Sequence, residues 1–371
     1  MDELVEAVRR FVDQDVKPAA RRHDRDDSYP AELVEQMRSM GLFGLTIPDP
    51  YGGLGLSLTA YVAIVEELGR GWASVPGLLN SHLTVASLLD QHGTEDQKHH
   101  FLPAMARGEV RAALLLTEPD AGSDLRAITT RVEIRDGGAT LSGRKTMITN
   151  GREARLYAVL ARQGDDLAVY LLETGRPGIT VGPDLEKLGF RGVETVEIFL
   201  DQVPIQNGDR VGGRGSGLGL VLDALELGRL SIAASAVGLA VAAYEDALHY
   251  ARERHAFGKP ITDFQAIQFH LVDMHTRIAA SRALTVSAAR ARERGRADLE
   301  TAVAKYHASE TALFAATTAM RVLGGYGYLK EYSVERYFRD APVFIVGEGT
   351  NEVLKTVIAR RLLEGGGQRV E

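Results

Sequence analysis

The sequence contains no cysteine. That excludes disulfides, iron–sulfur clusters, thiolate zinc sites and a cysteine nucleophile, and it leaves no redox chemistry from which to read a compartment. An excess of basic charge is also missing: 43 Lys and Arg stand against 50 Asp and Glu, a formal net charge of −7. A nucleic-acid partner would need an accumulated basic surface, so none is expected. The longest apolar run, "SIAASAVGLAVAAY" (Ser231 to Tyr244), is Ala-rich and falls short of the roughly 20 residues that span a bilayer. The ten His residues show no H-E-x-x-H or clustered ligand spacing, so no metal is expected. No Ser sits in a G-x-S-x-G elbow, which disfavours hydrolase chemistry.

The Gly-rich stretch "GGRGSGLGL" (Gly212 to Leu220) fits no G-x-G-x-x-G register, and no Walker lysine follows it. It reads as an entry into a helix. The opening "MDELVEAVRRFVDQDV" is an amphipathic helix with acids in its first turn, unlike a signal or transit peptide. A soluble, cytoplasmic protein without a membrane partner is the expectation.

What is present is 45% apolar and 25% charged, an ordinary globular composition, in a chain long enough for two or three packed units. Up to about residue 109 the pattern is helical. "AELVEQMRSMGLFGL" puts Leu33, Met37 and Met40 on one face and stops at Gly41. The middle of the chain changes texture. "TTRVEIRDGGATLSGRK" reads as two strands joined at Asp136-Gly137-Gly138, and "LYAVLAR", "LAVYLLET" and "ETVEIFLDQVPI" follow as further strands. From about Gly217 long helices return. Phe264, Ile267, Leu271, Met274 and Ile278 form a core-facing stripe after an expected Asp263 N-cap. The reading is a mainly α protein with a central β-domain: residues 1–112 helical, 113–213 a small antiparallel barrel or sandwich, and 214–371 a helical bundle.

"LLLTEPDAGSDL" (Leu114 to Leu125) opens the β zone with hydroxyls, small residues and acids that strand core does not explain. Exposed N–H groups around Gly122 could hold an anion or the polar edge of a planar cofactor. In order there follow "GRKTMITNG", "KLGFRGVETVEIFLDQVPI", "RERHAFGKPITDFQAIQF", "RVLGGYGYLKEYSVERYFRDA" and "EGTNEVLKTVIARR". In content and order these segments resemble the acyl-CoA dehydrogenase family of flavoenzymes, over nearly the whole chain.

The resemblance implies FAD held in an extended form between β-domain and bundle, its adenosine half contacting a neighbouring subunit of a homodimer or homotetramer. Leu116 and Thr117 would line the flavin ring. Gly122 and Ser123 would meet its pyrophosphate or the thioester, Thr149 would bond near N5, and Met147 would cover the ring. The neighbouring subunit would contribute Arg254, Phe257, Gln265, Arg321, Gly324 and Gly325, while Thr350 and Glu352 would hold the other side of the dinucleotide. Glu226 and Arg229 would contact the pantetheine and adjacent groups. Glu348 matches the base that removes the substrate α-proton while hydride passes to FAD N5. Some members carry that base at the position of Gly228, which here has no side chain. Gly347, just before the base, suggests room for a branched or wide acyl group. Three positions depart from the family pattern: Met147 for an aromatic residue, Ala256 for a hydroxyl residue, and Arg321 for Gln. The implied reaction is α,β-dehydrogenation of an acyl-CoA, with an electron-transfer flavoprotein as acceptor. The alternatives are a thioester carried by an acyl-carrier protein and a non-dehydrogenase binding flavoprotein of the same fold.

Overall fold

Three regimes follow one another along the chain. The computed structural model describes residues 2–135, 138–213 and 215–364. Six helices come first: α1 (Asp2–Phe11), α2 (Lys17–Asp26), α3 (Ala31–Ser39), α4 (Leu58–Gly71), α5 (Ser74–His92) and α6 (Glu95–Ala106). A π turn, Val12–Val16, carries α1 straight into α2. Side-chain caps fix two of the starts. Ser57 accepts from the Ala60 N–H, and Thr94 forms a reciprocal capping box with Gln97. As expected, α3 buries Leu33 and Met37 and stops before Gly41, which sits at φ 73°.

Eight strands make one sheet: β1 (Ala112–Leu115), β2 (Arg131–Arg135), β3 (Gly138–Thr149), β4 (Leu156–Gln163), β5 (Asp166–Glu173), β6 (Ile179–Asp184), β7 (Thr195–Ile205) and β8 (Arg210–Val211). The order is β6-β7-β3-β2-β4-β5-β8, with β1 on β4. Pairing is antiparallel except for β1–β4 and β2–β4. β2 and β3 form the expected hairpin, whose Asp136-Gly137 lie outside the described residues. In β4, Leu156, Ala158 and Leu160 enter a core shared with α5 and α6, while Tyr157, Val159 and Ala161 enter one shared with β3 and β7. That strand is apolar on both faces because both are covered.

Five helices follow: α7 (Gly217–Glu253), α8 (Gln265–Glu293), α9 (Asp298–Leu323), α10 (Val334–Val346) and α11 (Asn351–Glu364). The α8 stripe is seated as expected, with Leu271, Met274 and Ile278 buried and Phe264 and Ile267 packed against the same core. Asp263 does not cap it: it ends a 3₁₀ turn (Ile261–Asp263), and Phe264 occupies the cap position without a side-chain bond. Helix α7 is long and apolar enough to cross a membrane by composition, but 89% of that window is buried inside the protein.

Helices α4 and α7 cross at backbone contact. A Cβ on Gly238 would lie 2.1 Å from the Glu66 carbonyl oxygen, and one on Gly69 would lie 2.7 Å from that of Ser235. Backbone cannot yield as a flexible side chain can. Gly238→Ala is therefore expected to destabilise the protein by about 1–3 kcal/mol despite the better helix former. A thermal melt checks this; an unchanged Tm would refute the close crossing.

Candidate active site

Glu348 lies in the short link between α10 and α11. Helix α10 ends as the Gly347 N–H donates to the Val343 carbonyl at 2.8 Å, and α11 restarts with Thr350 Oγ1 accepting from the Val353 N–H at 3.3 Å. Glu348 itself has φ 54°, a left-handed conformation that a non-glycine residue holds only when its surroundings impose it. Those surroundings include Lys305 of α9, wholly buried, whose Nζ donates to the carbonyls of Ile345 (3.1 Å) and Gly349 (2.8 Å) and to Asn351 Oδ1 (3.0 Å). One ammonium thus pins the link on both sides of Glu348. Burial pushes its pKa down to about 8.

The Glu348 carboxylate is aimed at α7. A Cβ on Gly228 would lie 2.5 Å from Oε2 and 2.8 Å from Cδ. The carboxyl occupies the space where a side chain at 228 would begin. Oε1 accepts a 2.7 Å hydrogen bond from Asn80 Nδ2, whereas Oε2 is buried with no partner. Burial raises the Glu348 pKa, against the Asn80 hydrogen bond and the charges of Arg229 and Lys305.

Arg229 and Glu226 share α7 but have different surroundings. Arg229 is 5% exposed with its Nε unpartnered, close enough to Glu348 to stabilise the anion. Glu226 is wholly buried, with Oε2 accepting from the Ala297 N–H (2.8 Å) and paired with Arg292 (3.3 Å). Its oxygens hold the α8–α9 turn, with Arg296 at 3.5 Å.

The β-domain side is organised by a second buried lysine. Lys145 Nζ donates to the Leu116 carbonyl (2.8 Å) and to Glu118 Oε1 (2.9 Å), and the Thr146 N–H donates to the Thr117 carbonyl (2.9 Å). The "LTEPDAGSD" and "GRKTMITN" segments are thereby laced together. Burial lowers the Lys145 pKa; for Glu118, hydrogen bonds from Thr130 and Thr129 and the ammonium outweigh burial and lower it to about 2. This lacing leaves Met147 64% exposed at φ 58°, with Thr149 half-buried and Gly122 and Ser123 exposed.

A third group lies apart. Arg254, Phe257, Gly324 and Gly325 line an open hollow of about 610 Å³ with Tyr326 and Phe264. Phe257 is 96% exposed, and a Cβ on either glycine would meet nothing within 4 Å. Gln265 and Arg321 are exposed outside its lining, and Glu352 is exposed beside Lys355.

Helix α5 spans the gap between β-domain and base. Asn150, just after β3, donates to the Gly77 carbonyl (3.0 Å) and Ser81 Oγ (3.3 Å), and Asn80, between them on α5, reaches Glu348. Phe190 of the "LGFRG" loop presses on Gly77, where a Cβ would lie 2.2 Å from its ring. Asp340 of α10 holds that loop by accepting from the Phe190 N–H at 2.6 Å, its own pKa raised by burial to about 6.

Three family profiles tile the chain: the acyl-CoA dehydrogenase N-terminal domain over residues 1–109, middle domain over 113–203 and C-terminal domain over 215–363. The chain belongs to the acyl-CoA dehydrogenase family. An acyl-CoA dehydrogenase of Bacillus subtilis (strain 168) is 38% identical over 365 residues, covering 96% of each chain. The butyryl-CoA dehydrogenase structure from Megasphaera elsdenii superposes with a TM-score of 0.95 at 35% identity, covering 98% of this chain and 97% of that one. A prolyl acyl carrier protein oxidase, AnaB, gives a TM-score of 0.93 at 29% identity, with 97% and 98% covered. The protein is accordingly a flavin-dependent oxidoreductase of that family, with FAD as cofactor.

Proposed function

We propose that the protein dehydrogenates an acyl-CoA between its α- and β-carbons, with Glu348 as the base that removes the α-proton. The observation that carries this is the Glu348 carboxyl itself: buried, held in strained backbone, and presenting an unpartnered Oε2. That free oxygen points at the side-chain-less Gly228 face of α7, so it is an acceptor with nothing of the protein bonded to it. Substrate binding would remove remaining water from it and bring its pKa towards the working range. The charges of Arg229 and Lys305 oppose burial and favour its ionised form.

FAD, when bound, supplies the hydride acceptor. The residues present fit it: exposed Met147 and half-buried Thr149 beside the laced Leu116–Thr117 backbone suit the ring, and exposed Gly122 and Ser123 suit its polar tail. The hollow around Arg254, Phe257, Gly324 and Gly325 fits the adenosine half of a cofactor belonging to a second copy of the chain. The Arg254 guanidinium could fork onto two phosphate oxygens. An electron-transfer flavoprotein is the proposed acceptor, and a homodimer or homotetramer the proposed assembly.

The acyl group is tested with a panel of CoA thioesters from butyryl to palmitoyl, with branched and aromatic members, followed by flavin reduction. Gly347 before the base leads us to expect the highest kcat/KM with a branched or wide acyl group. Preference for short straight chains alone would overturn that. The second reading, a carrier-protein thioester, is favoured by the likeness to the prolyl acyl carrier protein oxidase. Matched CoA and carrier-protein thioesters of the best acyl group separate the two.

A further inference from the structure

We infer that Asn80 is a positioning residue for the base: its amide holds Glu348 Oε1 and so dedicates Oε2 to the substrate proton. The inference rests on the reading of Glu348 as the base and adds a residue that neither composition nor motif singled out. Among the described residues, Asn80 is the one hydrogen-bond donor to this carboxylate, at 2.7 Å. The surrounding charged and titratable groups act otherwise. Lys305, from α9, spends its ammonium on Ile345, Gly349 and Asn351 and reaches Glu348 through charge alone. Arg229, from α7, makes no hydrogen bond to the carboxylate and also acts by charge. Tyr61, from α4, is wholly buried, and its hydroxyl lies close enough to feel the Glu348 charge.

Asn80 can do this because its helix is not free to move. Asn150 grips α5 at Gly77 and Ser81, Ser74 Oγ donates to the Arg191 carbonyl at 2.6 Å, and His82 shares a hydrogen bond with the Phe43 carbonyl at 3.0 Å. The strand bearing Met147 and Thr149 therefore sets where Asn80 sits, and Asn80 sets where the carboxylate points. Chemically, an amide N–H bonds the anion more strongly than the neutral acid, so it favours the ionised base. It also fixes one of two otherwise interchangeable oxygens, which leaves a single proton-accepting atom in a defined place.

The test is the pH profile of kcat/KM for wild type, Asn80→Ala and Asn80→Asp, each loaded with FAD and supplied with the best thioester from the panel. In Asn80→Ala the acid limb should move up by about one pH unit, the worth of one hydrogen bond to a charged group. In Asn80→Asp, nearly the same shape, a like charge beside the base should move it further. The Asp variant also answers if the Ala variant fails to fold. A purely structural role would lower rates alike at every pH. An acid limb that stays in place in FAD-loaded variants overturns the inference. Glu348→Gln, measured alongside, separates the two readings. If it stays active, the base assignment fails; if it is inactive while the Asn80 limb is unmoved, only the Asn80 inference fails.

Discussion

Glu348→Gln is expected to stay yellow with FAD yet lose turnover by at least about a thousandfold, the scale of a missing general base. That corresponds to about 4 kcal/mol of transition-state stabilisation. The substitution keeps size and an acceptor for Asn80 while removing proton affinity from Oε2. Stability should not suffer. Burial raises the carboxyl pKa in the folded protein, so the native state favours the protonated form. The stability that this linkage contributes is complete below the unfolded carboxylate pKa and lost as pH rises through the folded one. The Gln variant has no such loss, and at pH 8 its Tm should equal or exceed that of wild type. Lost activity together with a lowered Tm and lost FAD would point to damage rather than to a missing base.

Gly228→Ala should cost roughly a hundredfold in kcat without costing the fold. The three atoms nearest the new Cβ would all belong to the Glu348 carboxyl, the closest at 2.5 Å. The side chain must swing away, and with it the hydrogen bond from Asn80. In a buried helix interior Ala is otherwise the better residue by about 1 kcal/mol. The expected pattern is therefore full FAD occupancy, an unchanged or raised Tm, and a large loss of kcat. Near-native kcat would mean that the carboxylate does not need the place it occupies in this structure.

The helical zones were legible because their signals are local. The α8 stripe, the stop of α3 at Gly41 and the apolar β4 follow from periodicity and turn chemistry. Asp263 misled because a cap depends on where the chain turns, and the turn finishes one residue later. Glu348 was singled out by the family resemblance and the glycine at 228, but its left-handed φ and its contact with that glycine are tertiary facts. Asn80 gave no signal: it is a lone amide in the apolar "SVPGLLNSHL", and its partner lies 268 positions away. Lys305 and Lys145 belong to no pattern that the sequence marks as buried. Their burial follows from carbonyls and carboxylates gathered by distant segments. Glu226 and Arg229 were grouped by the family resemblance, and the α8–α9 turn that takes up the Glu226 carboxylate is a tertiary fact.

Anaerobic mixing with a saturating acyl-CoA, followed by flavin absorbance and by deuterium uptake at the substrate α-carbon, tests the base assignment most directly. Wild type should bleach its flavin in one turnover. Glu348→Gln, equally loaded and equally saturated, should neither bleach on that time scale nor exchange the α-proton. Bleaching of the Gln variant at near wild-type rate would remove Glu348 from the reaction.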